Sequence, residues 1–125
     1  MTDEPACKIT DSELEVMKLL WQSNSALSIT EFRENLQKSK GWEPATVKTL
    51  VSRLVSKGAI RQEKRNVYYY SPLISEVEYN AWATGDLIKR LYNGSARKLV
   101  SALVHSDELT KKDMEELQKM FRVEE

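Results

Sequence analysis

The sequence predicts a mainly α-helical fold, a winged helix-turn-helix domain followed by a helical arm. Three observations predict it. Residues 44–57 have the pattern of a helix with a basic, hydroxyl-bearing outer face, two shorter helix patterns precede it, and a hairpin with a basic tip follows. This order of elements is much more specific than any one of its parts. We expect the winged domain over residues 9–73 and the arm over residues 74–122.

The two short helices begin at capping boxes, in which a Ser or Thr and the Glu three residues later bond each other's backbone N–H. Thr10 with Glu13 begins the first helix, over residues 10–21, and Ser28 with Glu31 begins the second. Apolar residues then recur at helical spacing, so we expect them to face a core. They are Leu14, Val16, Met17, Leu20 and Trp21 in the first helix, and Ile29, Phe32 and Leu36 in the second.

The third helix has marked ends and two contrasting faces. Pro44 suits a first turn, and Gly58 suits the left-handed residue just past a helix end. The face expected in the core carries Val47, Leu50, Val51 and Leu54. The opposite face carries Ala45, Thr46, Lys48, Thr49, Ser52, Arg53 and Ser56. Small side chains allow close approach, and hydroxyl and basic groups bond phosphates and base edges, so this face predicts DNA binding. A plain polar side of an amphipathic helix is the alternative.

After the third helix the pattern changes to that of β-strands. Residues 59–63 and 67–71 are short segments, the second rich in Val and Tyr. They bracket the basic tip, Lys64, Arg65 and Asn66. Asn tolerates the positive φ that a tight hairpin requires, which predicts that conformation at Asn66. The wing expected over residues 60–71 would bring its tip to a phosphate or the minor groove.

Charge is segregated although the formal net charge of the 125 residues is zero. Eight basic residues and two acids, Glu43 and Glu63, lie between Lys38 and Asn66, a balance of +6. We call residues 38–66 the basic block. Such a block in a neutral chain indicates an anionic partner met by one part of the surface. The residues expected at DNA are Thr46, Lys48, Thr49, Ser52, Arg53, Lys64, Arg65 and Asn66.

The remainder, from residue 75 onward, has no strand pattern and contains three amphipathic helix patterns, beginning near residues 75, 95 and 110. They offer more apolar surface than so short a segment buries alone, so we expect pairing with a second copy. The residues expected in the dimer interface are Trp82, Ile88, Leu91, Leu99, Leu103, Leu117 and Phe121. A helical subdomain folded on the winged domain of the same chain is the alternative.

Composition and motifs argue against several other classes of protein. No apolar run approaches the roughly 18 residues of a membrane span, and the acidic N-terminus is unlike a signal peptide, so we expect a cytoplasmic protein without a membrane partner. The lone Cys7 has no cysteine neighbour, and the lone His105 lies beside two acids. Without a phosphate loop, a His/Cys cluster or a nucleophile elbow, we expect no enzyme, cofactor or bound metal.

Several short stretches of the sequence, taken together, are typical of one protein family. They are residues 15–21 (Glu-Val-Met-Lys-Leu-Leu-Trp), Trp42, residues 46–49 (Thr-Val-Lys-Thr), 53–54 (Arg-Leu), 57–58 (Lys-Gly), 70–72 (Tyr-Ser-Pro) and 92–94 (Tyr-Asn-Gly). Together they resemble the bacterial winged-helix repressors that control penicillinase, methicillin-resistance and copper-transport genes, from residue 9 to about residue 121. The resemblance implies a homodimeric repressor on a pseudo-palindromic operator in double-stranded DNA. It also implies that Thr46, Lys48, Thr49 and Arg53 lie at DNA-contacting positions.

Two departures from this family leave the inducing signal open between copper, a cell-wall antibiotic and another stimulus. Copper-sensing members end in paired cysteines, and residues 120–125 contain none. Members that control β-lactam resistance are cut in the arm at an Asn–Phe bond, where this chain has Ala102–Leu103. A regulatory protease is still a reasonable partner. We expect release through damage to the arm, since the sequence suggests no polar-lined cavity in the winged domain.

Two other functions compete with the repressor. One is a winged-helix protein–protein interaction module that uses its basic face for an acidic partner. The other is a metal sensor that brings Cys7 and His105 together across subunits.

Overall fold

The computed structural model describes residues 8–122 and is mainly helical, with one small sheet. Cys7 and the tail beyond residue 122 lie outside the described residues. The helices are α1 (Asp11–Gln22), α2 (Ile29–Lys40), α3 (Pro44–Ser56), α4 (Glu76–Tyr92), α5 (Ala96–Val104) and α6 (Lys111–Arg122). The strands are β1 (Leu27–Ser28), β2 (Ile60–Lys64) and β3 (Tyr68–Pro72). The predicted mainly α-helical winged helix-turn-helix is confirmed.

The chain divides into two compact units inside α4. The first, the winged unit, extends through Trp82, and the second begins at Ala83. The predicted boundary after residue 73 lies before α4, whose first turns belong to the winged unit. A functional boundary after residue 73 therefore stays a prediction.

The predicted capping boxes form. Thr10 N donates to Glu13 Oε1 at 2.9 Å, and Glu13 N donates to Thr10 Oγ1 at 3.2 Å. Ser28 and Glu31 make the same pair of bonds at 2.9 and 3.3 Å. Each box satisfies two N–H groups that a helix start otherwise leaves without partners, which is why local sequence determines these starts.

The core of the winged unit gathers one face from each of its first three helices and closes under the sheet. Its buried members are Val16, Met17, Leu20, Leu27, Phe32, Leu36, Val47, Leu50, Val51, Leu54, Ala59, Ile60 and Tyr70. Trp21 is half-buried and packs against this core, whereas Leu14 is half-buried and is not among the residues packed against it. The prediction for α1 was therefore wrong at Leu14, and Glu13 is buried instead. Glu13 precedes Val16, Met17 and Leu20 at helical spacing, so the buried face of α1 begins with a carboxylate.

The wing is an antiparallel hairpin in which Ile60 pairs with Pro72 and Lys64 with Tyr68. The prediction of a positive φ at Asn66 was wrong. Asn93, with φ 52°, is the one non-glycine residue with positive φ in the described part of the chain. Asn66 takes part in the turn through its side chain instead, because its Oδ1 accepts a bond from Val67 N at 3.0 Å.

A third strand was not predicted. Leu27 and Ser28 of β1 pair with Tyr70 and Tyr69 of β3, which gives the sheet order β1-β3-β2. Two residues are too short to show the alternation that marks a strand, and Ser28 also serves as the cap of α2.

In the second unit many large apolar residues lie on the surface of the single chain. No residue of α5 or α6 is buried. The exposed large apolar side chains of this unit are Leu91, Val100, Leu103, Val104, Met114, Leu117, Met120 and Phe121. Their exposure agrees with the expectation that these helices cannot bury their apolar faces alone.

Candidate nucleic-acid interface

Helix α3 presents its polar face outward because its apolar face holds it to the core. Val47, Leu50, Val51 and Leu54 are all buried. The helix begins at Pro44, and Gly58 just beyond its end has φ 82°, a conformation that a side chain would strain. These are the ends predicted from the sequence.

All eight residues predicted to contact DNA are exposed. Five of them lie on α3 and three at the tip of the wing. An open depression of about 460 Å³ on the outer surface of α3 is lined by Lys48, Thr49, Ser52, Arg53, Ser56 and Lys57. Thr49 Oγ1 donates to Ala45 O at 2.9 Å, so its lone pairs remain able to accept a bond from outside.

Some cations of the basic block have a carboxylate partner in the fold and others have none. Lys57 pairs with Glu13, Lys40 Nζ lies 3.2 Å from Glu15 Oε1, and Arg65 Nη2 lies 3.3 Å from Glu63 Oε1. Within residues 8–122, neither Lys48 nor Arg53 has a carboxylate partner. The charge on the outer face of α3 is therefore available to an external anion.

Lys57 belongs to the fold rather than to the available charge. Its ammonium donates to the carboxylate of Glu13 and to Lys8 O at 2.8 Å, and so ties the end of α3 to the start of α1. Burial by itself would raise the pKa of Glu13, but bonds from Lys57 and Thr10 N outweigh it and hold that pKa below its usual value. The sequence gives no sign of this ion pair, because Glu13 and Lys57 are 44 positions apart.

Aromatic rings support the two cations of the wing tip. Lys64 Nζ lies 5.8 Å from the ring centroid of Tyr68, and Arg65 Cζ lies 4.8 Å from that of Tyr69. Cations within about 6 Å of a ring are attracted to its face. From the sequence these tyrosines were predicted only to form a strand. The pairing of Lys64 with Tyr68 across the hairpin follows from its register and could have indicated the contact.

The predicted dimer residues do not share one environment. In the second unit Leu91 and Phe121 are 60% and 68% exposed, and Leu103 and Leu117 are also exposed, whereas Ile88 and Leu99 are half-buried. Trp82 lies in the winged unit, where a row of rings packs with 6.0 Å between neighbouring centroids: Trp21, Tyr79 and Trp82. A dimer contact by Trp82 stays a prediction.

A partly polar cavity in the winged unit was not suggested by the sequence. It has a volume of about 460 Å³ and is lined by Leu20, Trp21, Ser23, Asn24, Ser25, Ala26, Ser71, Pro72, Ser75 and Glu76. These residues come from four separate stretches of the chain, so no local pattern marks the cavity.

Residues 8–122 contain neither a group of metal ligands nor a membrane-spanning helix. Three or more His, Cys, Asp or Glu residues nowhere converge as metal ligands. No helix there has both the length and the apolar composition for crossing a membrane. His105 is exposed, with Nδ1 2.8 Å from Ser101 O.

The three-helix core, the wing and the unpaired cations of α3 define a winged-helix DNA-binding protein with a helical arm. The family model described as penicillinase repressor matches residues 9–122. The chain belongs to the penicillinase repressor family.

Two relatives in this family are similar over nearly their whole length. The penicillinase repressor of Bacillus licheniformis is 34% identical over 111 residues, covering 88% of this chain and 86% of the relative. The methicillin resistance regulatory protein MecI of Staphylococcus aureus (strain N315) is 31% identical over 120 residues, covering 95% and 97%.

Two solved structures resemble the winged part of the fold. The solution structure of the DNA-binding domain of the repressor BlaI is 39% identical, with a TM-score of 0.54, over 63% of this chain and 94% of that one. The monomeric form of Bacillus licheniformis BlaI in complex with the blaP half-operator is also 39% identical, with a TM-score of 0.53, over 59% and 90%.

Proposed function

We propose that this protein is a homodimeric transcriptional repressor that binds a pseudo-palindromic operator through α3 and the wing. The observation that carries the proposal is the exposed face of α3, where Lys48 and Arg53 stand among hydroxyl groups without a carboxylate partner in residues 8–122. One family relative is named a penicillinase repressor and another a methicillin resistance regulatory protein, and BlaI was solved in complex with a half-operator, which supports the same role here.

Each part of the interface suits a different part of the duplex. An α-helix fits the major groove, where Arg53 can bond a guanine edge and the hydroxyls of Thr46, Thr49 and Ser52 can bond base edges or phosphates. Lys48 suits a phosphate. The wing tip, with Lys64, Arg65 and Asn66 all exposed, suits the adjacent backbone or minor groove.

The homodimer is proposed from the second unit. Its exposed apolar side chains on α5 and α6 are more than a single chain normally leaves in water, and a second copy is the partner that a two-fold symmetric operator requires. A protein–protein interaction module with an acidic partner is not favoured, because one relative is named a penicillinase repressor and BlaI was solved in complex with DNA.

Single substitutions separate phosphate contact from base readout. Arg65→Ala is expected to weaken binding to operator and random DNA by similar factors and to lower the salt slope by about one. Arg53→Ala and Thr49→Ala are expected to cost roughly 1–3 kcal/mol on the operator and much less on random DNA. Fluorescence anisotropy over a salt series measures both quantities, on an operator located by footprinting upstream of the protein's own gene.

Arg90→Ala is the matched control, because Arg90 lies in α4 outside the basic block and pairs with Asp86 at 2.8 Å. It is expected to leave both affinities nearly unchanged. Equal losses on operator and random DNA for Arg53→Ala, Thr49→Ala and Arg65→Ala would remove base readout from α3.

We infer that release from DNA acts through the arm and that a regulatory protease is its agent. Ala102 and Leu103 are exposed in the single chain, on α5. One cut there would separate the two DNA-binding domains without touching α3 or the wing, and would remove the gain from linked binding.

Metal ions are expected to leave the operator complex intact. Copper(I) or zinc at low micromolar concentration should not change the anisotropy of the complex, and Cys7→Ser should be silent, because isolated ligands seldom make a tight site. The chain is expected to be cut during induction, and immunoblots would then show a shorter chain. Release by micromolar metal from a chain that stays intact would overturn this mechanism.

A further inference from the structure

Glu43 is an acid in the basic block that nothing in the fold neutralises. The block contains two acids, and Glu63 is paired with Arg65 at 3.3 Å. Glu43 is exposed, and its carboxylate has neither an ion pair nor a hydrogen bond among the residues that the structure describes. The two acids therefore differ, and only Glu43 brings an uncompensated negative charge.

Capping of α3 does not account for a glutamate at this position. Glu43 is the residue just before the helix, and its carbonyl accepts a bond from Val47 N at 3.2 Å. Ser, Thr, Asp and Asn are favoured there because their short side chains accept a bond from a first-turn N–H. The Glu43 side chain makes no such bond.

The charge also opposes the general affinity of the surface for DNA. A carboxylate near phosphates repels every duplex alike, whatever the base sequence, and reduces the benefit of the neighbouring lysines and arginines. The helix dipole favours an acid at a helix start, but only weakly at an exposed site. A group that specific DNA alone offers would give this acid a favourable partner.

Such a group is present in the major groove. The amino group at N4 of cytosine is a donor there, and Glu is one of the side chains that accept from it. Residues at the start of a recognition helix are those that reach base edges. Glu43 lies at the start of α3, directly before its basic face.

We propose that Glu43 is a specificity-determining residue that accepts a hydrogen bond from cytosine N4 in each half-site. This role rests on the proposed function and adds one base-reading residue to the eight proposed DNA contacts on α3 and the wing. It also predicts opposite effects on the two kinds of DNA. Removal of the carboxylate lowers discrimination at one base pair per half-site and raises affinity for random duplexes.

The test is selection from a library of randomised duplexes by the full chain, with sequencing of the bound fraction. Wild type is expected to prefer a C·G pair at one position of each half-site. In Glu43→Ala this preference should fall about fivefold or more, while the preferences at other positions persist. In Glu43→Gln the preferred pair should become A·T, because an amide both donates and accepts and so matches adenine. Affinity for random DNA at low salt should rise on the order of twofold for both variants, and the rise should vanish at high salt.

Glu116→Gln is the matched control, because Glu116 is an exposed acid of α6, outside the basic block, and its change alters net charge equally. It is expected to select the same DNA sequence as the wild-type protein.

Base preferences that are the same in wild type, Glu43→Ala and Glu43→Gln would overturn the role of Glu43 but would not contradict the repressor function. A uniform loss on all sequences, with a lower melting temperature, would assign Glu43 to the helix dipole and would also overturn it. If wild type selects no sequence, the proposed function itself fails, and this role with it.

Discussion

A chain that ends at Trp82 is expected to fold as a monomeric winged domain and to bind the operator about 100-fold more weakly than the full chain, or weaker still. The core of the winged unit is complete by that residue. When one of two linked domains is bound, the other is held at a high effective concentration near the second half-site, which raises the affinity. A single domain lacks this gain in affinity. Sedimentation and anisotropy titration of the two chains measure the two effects.

The cut must follow Trp82 rather than Pro72. Trp21 Nε1 donates to Ile74 O at 2.9 Å, and Tyr79 packs its ring on Trp21 and is only 8% exposed. A chain ending at Pro72 loses these contacts, and we expect it to be less stable by about 2 kcal/mol or more, from the lost aromatic burial. Equal melting temperatures for the two truncated chains would contradict this, and a monomeric full chain at micromolar concentration would contradict the dimer.

Lys57→Met is expected to destabilise the fold by about 3 kcal/mol, near the lower end of the range for breaking a buried ion pair. Glu13 is 1% exposed and Lys57 29% exposed, so the substitution leaves a carboxylate in the core without its cation. The matched control is Lys40→Met, because Lys40 and Glu15 form a partly exposed pair that contributes little, less than about 1 kcal/mol. Urea unfolding followed by tryptophan fluorescence, at one protein concentration, compares the two.

The same variant is expected to weaken the pH dependence of stability that Glu13 contributes. In wild type the pKa of Glu13 is lower in the folded than in the unfolded chain, so its contribution is complete above the unfolded pKa and is lost as pH falls through the folded one. In Lys57→Met the contribution of the ammonium is lost while burial and the bonds with Thr10 remain, so the pKa of Glu13 is higher than in wild type. The loss of stability relative to wild type is therefore largest near neutral pH and becomes smaller toward acid pH. A deficit that stays constant from pH 7 to about pH 4 would show that Glu13 is not ionised in the core.

Much of the first unit could be predicted because its signals are local. The starts of α1 and α2 depend on side chains three residues apart, and the outward face of α3 depends on helical spacing alone. Gly58 marks the end of α3 because glycine, which has no Cβ, adopts a positive φ without strain. The five proposed DNA residues of α3 were likewise found on the surface because they lie opposite buried neighbours on that helix, and the other three because they lie at the tip of the wing.

Other features depend on residues that are distant in sequence. Glu13 and Lys57 are 44 positions apart, and only the packing of α1 against the end of α3 turns a capping glutamate into a buried ion pair. The row of rings from Trp21 to Trp82 likewise joins α1 to α4, and β1 exists only because β3 passes beside it.

The sequence by itself determined the order of the elements, the helix starts and the polar face of α3, because each follows from spacing along one short segment. Only the tertiary structure decided which charges of the basic block are available to DNA. The reason is physical: an ion pair depends on the distance between two side chains in space, and that distance exists only once the chain has packed. The structure thereby separated Lys57, which holds α3 in place, from Lys48 and Arg53, which face outward without a carboxylate partner in residues 8–122.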